Sequence, residues 1–269
     1  MSDQSGGVFD NLADTFVNAF SKVHKPDKRF IEVREKADKL DEDLGHVSRV
    51  IARIARREGD LEADYGELST QFLKLETMEP GVDQPVHAFA KGVEETARGF
   101  QALKEHTDQD YLGSLRDMEA YTASLKGLLK YREQRQLDYE GLTDYLNKAS
   151  QDRDNLASNN YTGTASFIRS KFEDARGVDH EQARRERVRK LELQIERLVK
   201  EVEDARIASE MYDGEVVREV EDFERIKAGE FKACLGELAD KHVEFYDGVI
   251  NTWERYLKEM EAEGGGSDL

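Results

Sequence analysis

Apolar residues recur along this chain in steps that alternate three, four, three, four. The first run is Phe30, Val33, Ala37, Leu40, Leu44, Val47, Ile51, Ile54, Glu58, Leu61, Tyr65, Leu68, Phe72 and Leu75, with Glu58 its one charged position. An average step of 3.5 residues keeps a narrow seam against a neighbouring helix in a left-handed supercoil. The run predicts a helix over 27–78, roughly 75 Å long at 1.5 Å per residue. Pro80, Gly81 and Pro85 then supply a reversal. A second seam passes Val86, Phe89, Val93, Thr96, Phe100 and Leu103, slips between Thr107 and Tyr111, and resumes through Leu115, Met118, Thr122, Leu125 and Leu129. It predicts a helix over 86–157. The slip adds a four-residue step, which unwinds a supercoil locally, so a bend is expected over 108–113.

The polar, turn-forming stretch from Ser158 to Thr164 reads as a second reversal, and 158–178 as a tip. A third seam runs from Leu191 through Ile195, Leu198, Val202, Ala205, Ser209, Tyr212, Val216, Glu219, Phe223 and Ile226. It shifts near Glu230 and continues through Phe231, Leu235, Leu238, His242, Phe245, Val249 and Trp253, predicting a helix over 179–263. Gly264, Gly265 and Gly266 stop it, and 264–269 reads as a disordered tail. The fold class is all-α, with three long, kinked, antiparallel coiled-coil helices. One three-helix rod leaves apolar seam uncovered, and a two-fold dimer is the common remedy.

Ahead of the first seam, 1–7 reads as flexible and 8–25 as an amphipathic helix. Val8, Phe9, Leu12, Phe16, Phe20 and Val23 fall on one face of the latter, with Asp10 and Asp14 among the polar positions, and Pro26 ends it. Such a helix either packs on the bundle or lies in a bilayer interface. Phe9, Leu12, Phe16 and Phe20 are the candidates for insertion.

Composition changes this picture in two respects. Only 38% of residues are hydrophobic against 36% charged, which disfavours a compact globule. A net charge of −18 argues against general affinity for nucleic acid or anionic lipid, so any such binding must be local. Three basic runs supply candidates: Lys25, Lys28 and Arg29; Lys126, Lys130, Arg132 and Arg135; and Arg184, Arg185, Arg187, Arg189 and Lys190. Reflecting the first helix onto the second, and the second onto the third about residue 160, brings all three runs level. Each Lys or Arg near an anionic surface contributes about 1 kcal/mol. The competing reading of each run is a solvated face satisfied by nearby glutamates.

An enzyme reading lacks parts. The six histidines show no metal-ligand spacing, no glycine loop cradles phosphate, and the glutamate pairs suit a solvated helix surface. No cofactor or metal is expected. The lone Cys234 reads as core and fits a reducing compartment.

Several long stretches carry a resemblance. His24 to Glu32, Asp108 to Asp117 and Gly177 to Arg187 resemble the BAR region of the sorting nexins of the PX-BAR family, as do Asp222 to Lys227, Glu244 to Tyr246 and Trp253 to Leu257. The resemblance covers 12–260. It implies a BAR domain over 26–263 that forms an elongated crescent dimer and senses or remodels membrane curvature in endosomal recycling and autophagy. It further implies a cytoplasmic protein, peripheral on endosomal and autophagy-related membranes. The implied partners are an anionic or phosphoinositide-containing membrane and either a second copy or another autophagy-related BAR-domain sorting nexin. Family logic adds Arg169 and Lys171 at the tip to the basic candidates. In the family a PX domain precedes this region, and no residue here is assigned to its lipid pocket. The alternative is a coiled-coil scaffold for heterodimerisation with no membrane binding of its own.

Overall fold

A computed structural model describes residues 26–76, 83–158 and 180–264. All of its regular elements are helical: α1 (Lys28–Glu76), α2 (Asp83–Glu105), a π-helical turn (His106–Tyr111), α3 (Leu112–Ala157) and α4 (His180–Gly264). α1 starts where Asp27 caps it, the Oδ1 atom accepting the Arg29 N–H at 2.9 Å. α2 begins two residues before Pro85, which is tolerated because the first-turn N–H groups of a helix lack intrahelical partners anyway. α2, the π-turn and α3 join without interruption, so the second seam is a single pass.

The π-turn falls on the slip in that seam. Leu103, Thr107, Tyr111 and Leu115 are all buried, three successive steps of four residues. A regular α-helix would carry such a run about 120° around its axis. One extra residue in a wider turn absorbs nearly all of that rotation, and Met118, Thr122, Leu125 and Leu129 continue on the buried face. Burial also pushes the Tyr111 phenol above its ordinary range.

The chain divides into two compact units. The larger contains Val33–Lys126 and the part of α4 from Glu219 onward. In it α1 runs antiparallel to α2 and α3, which run antiparallel to α4. Phe72 meets Phe89 and Phe89 meets Trp253, at 4.8 and 5.3 Å between ring centroids. One level further along, Tyr65 meets Phe100 and Phe100 meets Phe245, at 5.4 and 4.7 Å. Glycines on α2 make room for these rings: a Cβ on Gly99 would stand 3.1 Å from Phe245, and one on Gly92 3.5 Å from Trp253. Ser69 pins α1 to α2 by donating to the Ala90 carbonyl at 2.9 Å. Past the register shift in α4, Cys234 is buried and Leu235 is 52% exposed, so the cysteine holds the inner position that the spacing gives to the leucine. Burial pushes the Cys234 thiol above its ordinary range.

The smaller unit joins residues 26–32 to 127–158 and 180–218. Its centre is Arg132, 7% exposed, whose Nε and Nη2 donate to the two carboxylate oxygens of Asp213 at 2.7 and 3.1 Å. The same guanidinium lies 4.1 Å from the centroid of the Phe30 ring. Tyr131 and Tyr212 pack beside this knot at 5.0 Å.

Candidate dimer-facing and membrane-facing surfaces

The α1 seam divides into two edges. Ile51, Glu58, Tyr65 and Phe72 turn inward, whereas Val47, Ile54, Leu61, Leu68 and Leu75 remain 39–43% exposed. In the same unit Leu235, Val243, Tyr246, Ile250 and Leu257 of α4 are 52–58% exposed, on steps of eight, three, four and seven residues, so that Val243 to Leu257 keep heptad spacing. Scattered apolar residues are ordinary on a protein surface, but stripes at heptad spacing have the form of helix–helix contacts that lack their partner.

The basic candidates separate into two groups. Lys126 is clamped by Asp41 and Asp38, its Nζ lying 2.8 and 2.9 Å from their carboxylates, which hold the ammonium above the ordinary lysine range. Arg132 is buried against Asp213 and Phe30. Arg29 reaches Asp27 at 2.8 Å and holds that carboxyl below its ordinary range, chiefly through the hydrogen bond. Arg184 and Arg185 both bond to Glu181, with Arg184 the larger cause of its lowered pKa. Arg135 donates to the Tyr131 hydroxyl while keeping an exposed head. Lys28, Lys130, Arg189 and Lys190 are exposed, and Arg187 is half-buried. Phe9, Leu12, Phe16, Phe20, Lys25, Arg169 and Lys171 lie outside the described residues.

The expected convergence of three runs is corrected to two. Residues 28–30 and 130–132 do come together, through Phe30 and Arg132. Arg132, however, pairs with Asp213, so the 184–190 run lies more than twenty residues back along α4, roughly 35 Å at 1.5 Å per residue. The midpoint of the Arg132–Asp213 pairing falls near residue 172, not 160. Arg132 itself had a signal that the spacing reading passed over: it stands three residues after Leu129, at the next position of the buried seam. Among the described residues no group of three potential ligand side chains gathers to hold a metal ion, and no described helix is long and apolar enough to cross a membrane.

No family model matches the sequence. Individual proteins do. The chain is 65% identical to sorting nexin-4 of Emericella nidulans over 277 residues, covering 99% of this chain and 57% of that protein. It is 66% identical to sorting nexin-4 of Aspergillus fumigatus over 265 residues, covering 95% and 53%. The chain belongs to the sorting nexin family. Sorting nexin-4 of Saccharomyces cerevisiae is 34% identical over 250 residues, covering 91% of this chain and 59% of its own length. The chain thus spans little more than half of each of these sorting nexins. Among solved structures, the I-BAR domain of D. discoideum IBARa aligns with 91% of the chain at a TM-score of 0.37 and 15% identity. The F-BAR domain of Drosophila Syndapin/PACSIN aligns with 89% at 0.41 and 12%.

Proposed function

We propose that this chain is the BAR-type module of a sorting nexin: non-enzymatic, dimeric, and peripheral on endosomal and autophagy-related membranes whose curvature it senses or remodels. The observation that carries the reading is the pair of exposed heptad stripes on α1 and α4, one from Val47 to Leu75 and one from Val243 to Leu257. Surface of that spacing asks for further helices, supplied by a second copy or by another autophagy-related BAR-domain sorting nexin. Membership of the sorting nexins supports a role at membranes in endosomal recycling and autophagy.

Membrane contact in this proposal uses the apolar face of Phe9, Leu12, Phe16 and Phe20. It also uses the basic heads that internal structure leaves exposed, namely Lys28, Lys130, Arg135, Arg185, Arg189 and Lys190, with Lys25, Arg169 and Lys171 from outside the described residues. Lys126 and Arg132 contribute to folding instead. The second reading, a heterodimerisation scaffold with no membrane binding of its own, is favoured by the charge of −18 and by the acids that neutralise those two cations.

Co-sedimentation with anionic vesicles of several diameters separates the two. The module reading expects binding that depends on vesicle size and falls at least about tenfold in Phe16→Glu, or when Lys130, Arg185, Arg189 and Lys190 are all changed to Glu, each lost head costing about 1 kcal/mol. The dimer should persist in both variants. An intact dimer that ignores vesicles even at low salt would leave the scaffold reading.

A further inference from the structure

The two exposed stripes of the larger unit are bordered by opposite charges. From His46 to Arg57, α1 carries Arg49, Arg53, Arg56 and Arg57 and no acid. Arg53 and Arg57 follow the exposed Val50 and Ile54 by three residues each, which sets them beside the α1 stripe. On α4, Asp247, Glu254 and Glu261 follow the exposed Val243, Ile250 and Leu257 by four residues each. These two arginines and three acids are all exposed, and none has an ion-pair partner among the described residues. Charges that flank a helix–helix seam select the partner and its direction.

We infer that a second copy covers these stripes crosswise, its α4 lying antiparallel on α1 and its α1 on α4. The inference rests on the proposed dimer and adds its register. Val47, Ile54 and Leu61 ascend in sevens, as do Val243, Ile250 and Leu257. Leu61 therefore seats on Val243 of the second copy, Ile54 on its Ile250 and Val47 on its Leu257. Arg57 then stands level with Asp247 of the second copy, and Arg53 comes within one turn of its Glu254. The position of the symmetry axis agrees with this register. Within one chain Tyr65 is level with Phe245, both on Phe100, and Phe72 is level with Trp253, both on Phe89. A two-fold that seats Leu61 on Val243 thus passes beside Leu61, midway along the stripe from Val47 to Leu75, and every contact is made twice. Pairing α4 with α4 about Ile250 would instead set Asp247 against Glu254. The crosswise register also brings Asp64 level with Asp240, a like-charged pair whose relief should tighten the dimer.

Sedimentation equilibrium on the full chain at low salt tests the register, with circular dichroism checking that each variant keeps its helices. Arg53→Glu with Arg57→Glu should raise the dimer Kd at least about tenfold, and so should Asp247→Arg with Glu254→Arg, because each reversal acts at both copies of the contact. Mixing those two variants should restore a dimer of nearly parental affinity, since every reversed arginine then meets a reversed acid. Arg49→Glu with Arg56→Glu changes the charge of α1 equally but lies farther round the helix from the stripe, and should alter Kd less than about threefold. Asp64→Asn should lower Kd. Reversals that leave Kd unchanged, an equal loss in the Arg49 and Arg56 variant, a mixture that stays monomeric, or a Kd that does not fall in Asp64→Asn would overturn the register while leaving the dimer standing. A parent chain that is itself monomeric would overturn both.

Discussion

Glu58 is the one charged residue in the α1 seam, and the structure buries it to 6% exposure with its Oε2 atom lacking a hydrogen-bond partner. Ile51 and Tyr65, one heptad to either side, face inward as apolar residues should. Burying a polar group without a partner costs a few kcal/mol, whereas an isosteric apolar side chain avoids that cost. Glu58→Leu should therefore stabilise the chain by about 1–3 kcal/mol, read as a higher denaturant midpoint at unchanged slope. Loss of stability would mean that the carboxylate has a partner across an interface with another chain. Arg132 is the opposite case: equally buried, but satisfied on both sides by Asp213 and stacked on Phe30. Two charges in seams thus have unlike energetics, and only the partners tell them apart.

At the scale of elements, the π-turn lets a sequence with three consecutive four-residue steps keep a continuous buried face. It acts as an insertion of one residue, and removing one residue should undo it. Deleting Gln109, exposed within the turn, should leave a regular α-helix with both flanking seams in register. Deleting Ala123 from regular α3 should rotate the remainder of that helix by about 100° and cost about 4 kcal/mol or more as core positions turn outward. Comparing the two thermal unfolding transitions decides the point. The turn was visible in the spacing of Leu103, Thr107, Tyr111 and Leu115, because a seam records the rotation of its helix directly. The placement of the third basic run was not visible. Seam spacing fixes which face of a helix is buried, but leaves one helix free to slide along another by whole heptads. That slide is settled by particular pairs such as Arg132 with Asp213 and Phe100 with Phe245. For the same reason the basic runs could be found in the sequence, while the clamping of Lys126 and Arg132 depends on acids of other helices.

For the molecule as a whole, the exposed stripes on α1 and α4 give the dimer its own test. Leu61→Glu combined with Tyr246→Glu places carboxylates on both stripes at positions 39% and 58% exposed within one chain, so the fold should tolerate them. Light scattering should report a dimer for the parent chain and a monomer for this variant, with helical content retained. A variant that remains dimeric would move the interface elsewhere. The packing of Trp253 has an optical consequence. It is the sole tryptophan, and it rests on Phe89, Tyr256 and the open face of Gly92, all in the larger unit. Selective excitation of indole fluorescence therefore tracks the melting of that unit alone, while far-ultraviolet dichroism averages over every helix. Superimposable curves from the two probes would mean that both units unfold as one cooperative system, and curves that part would give each its own midpoint.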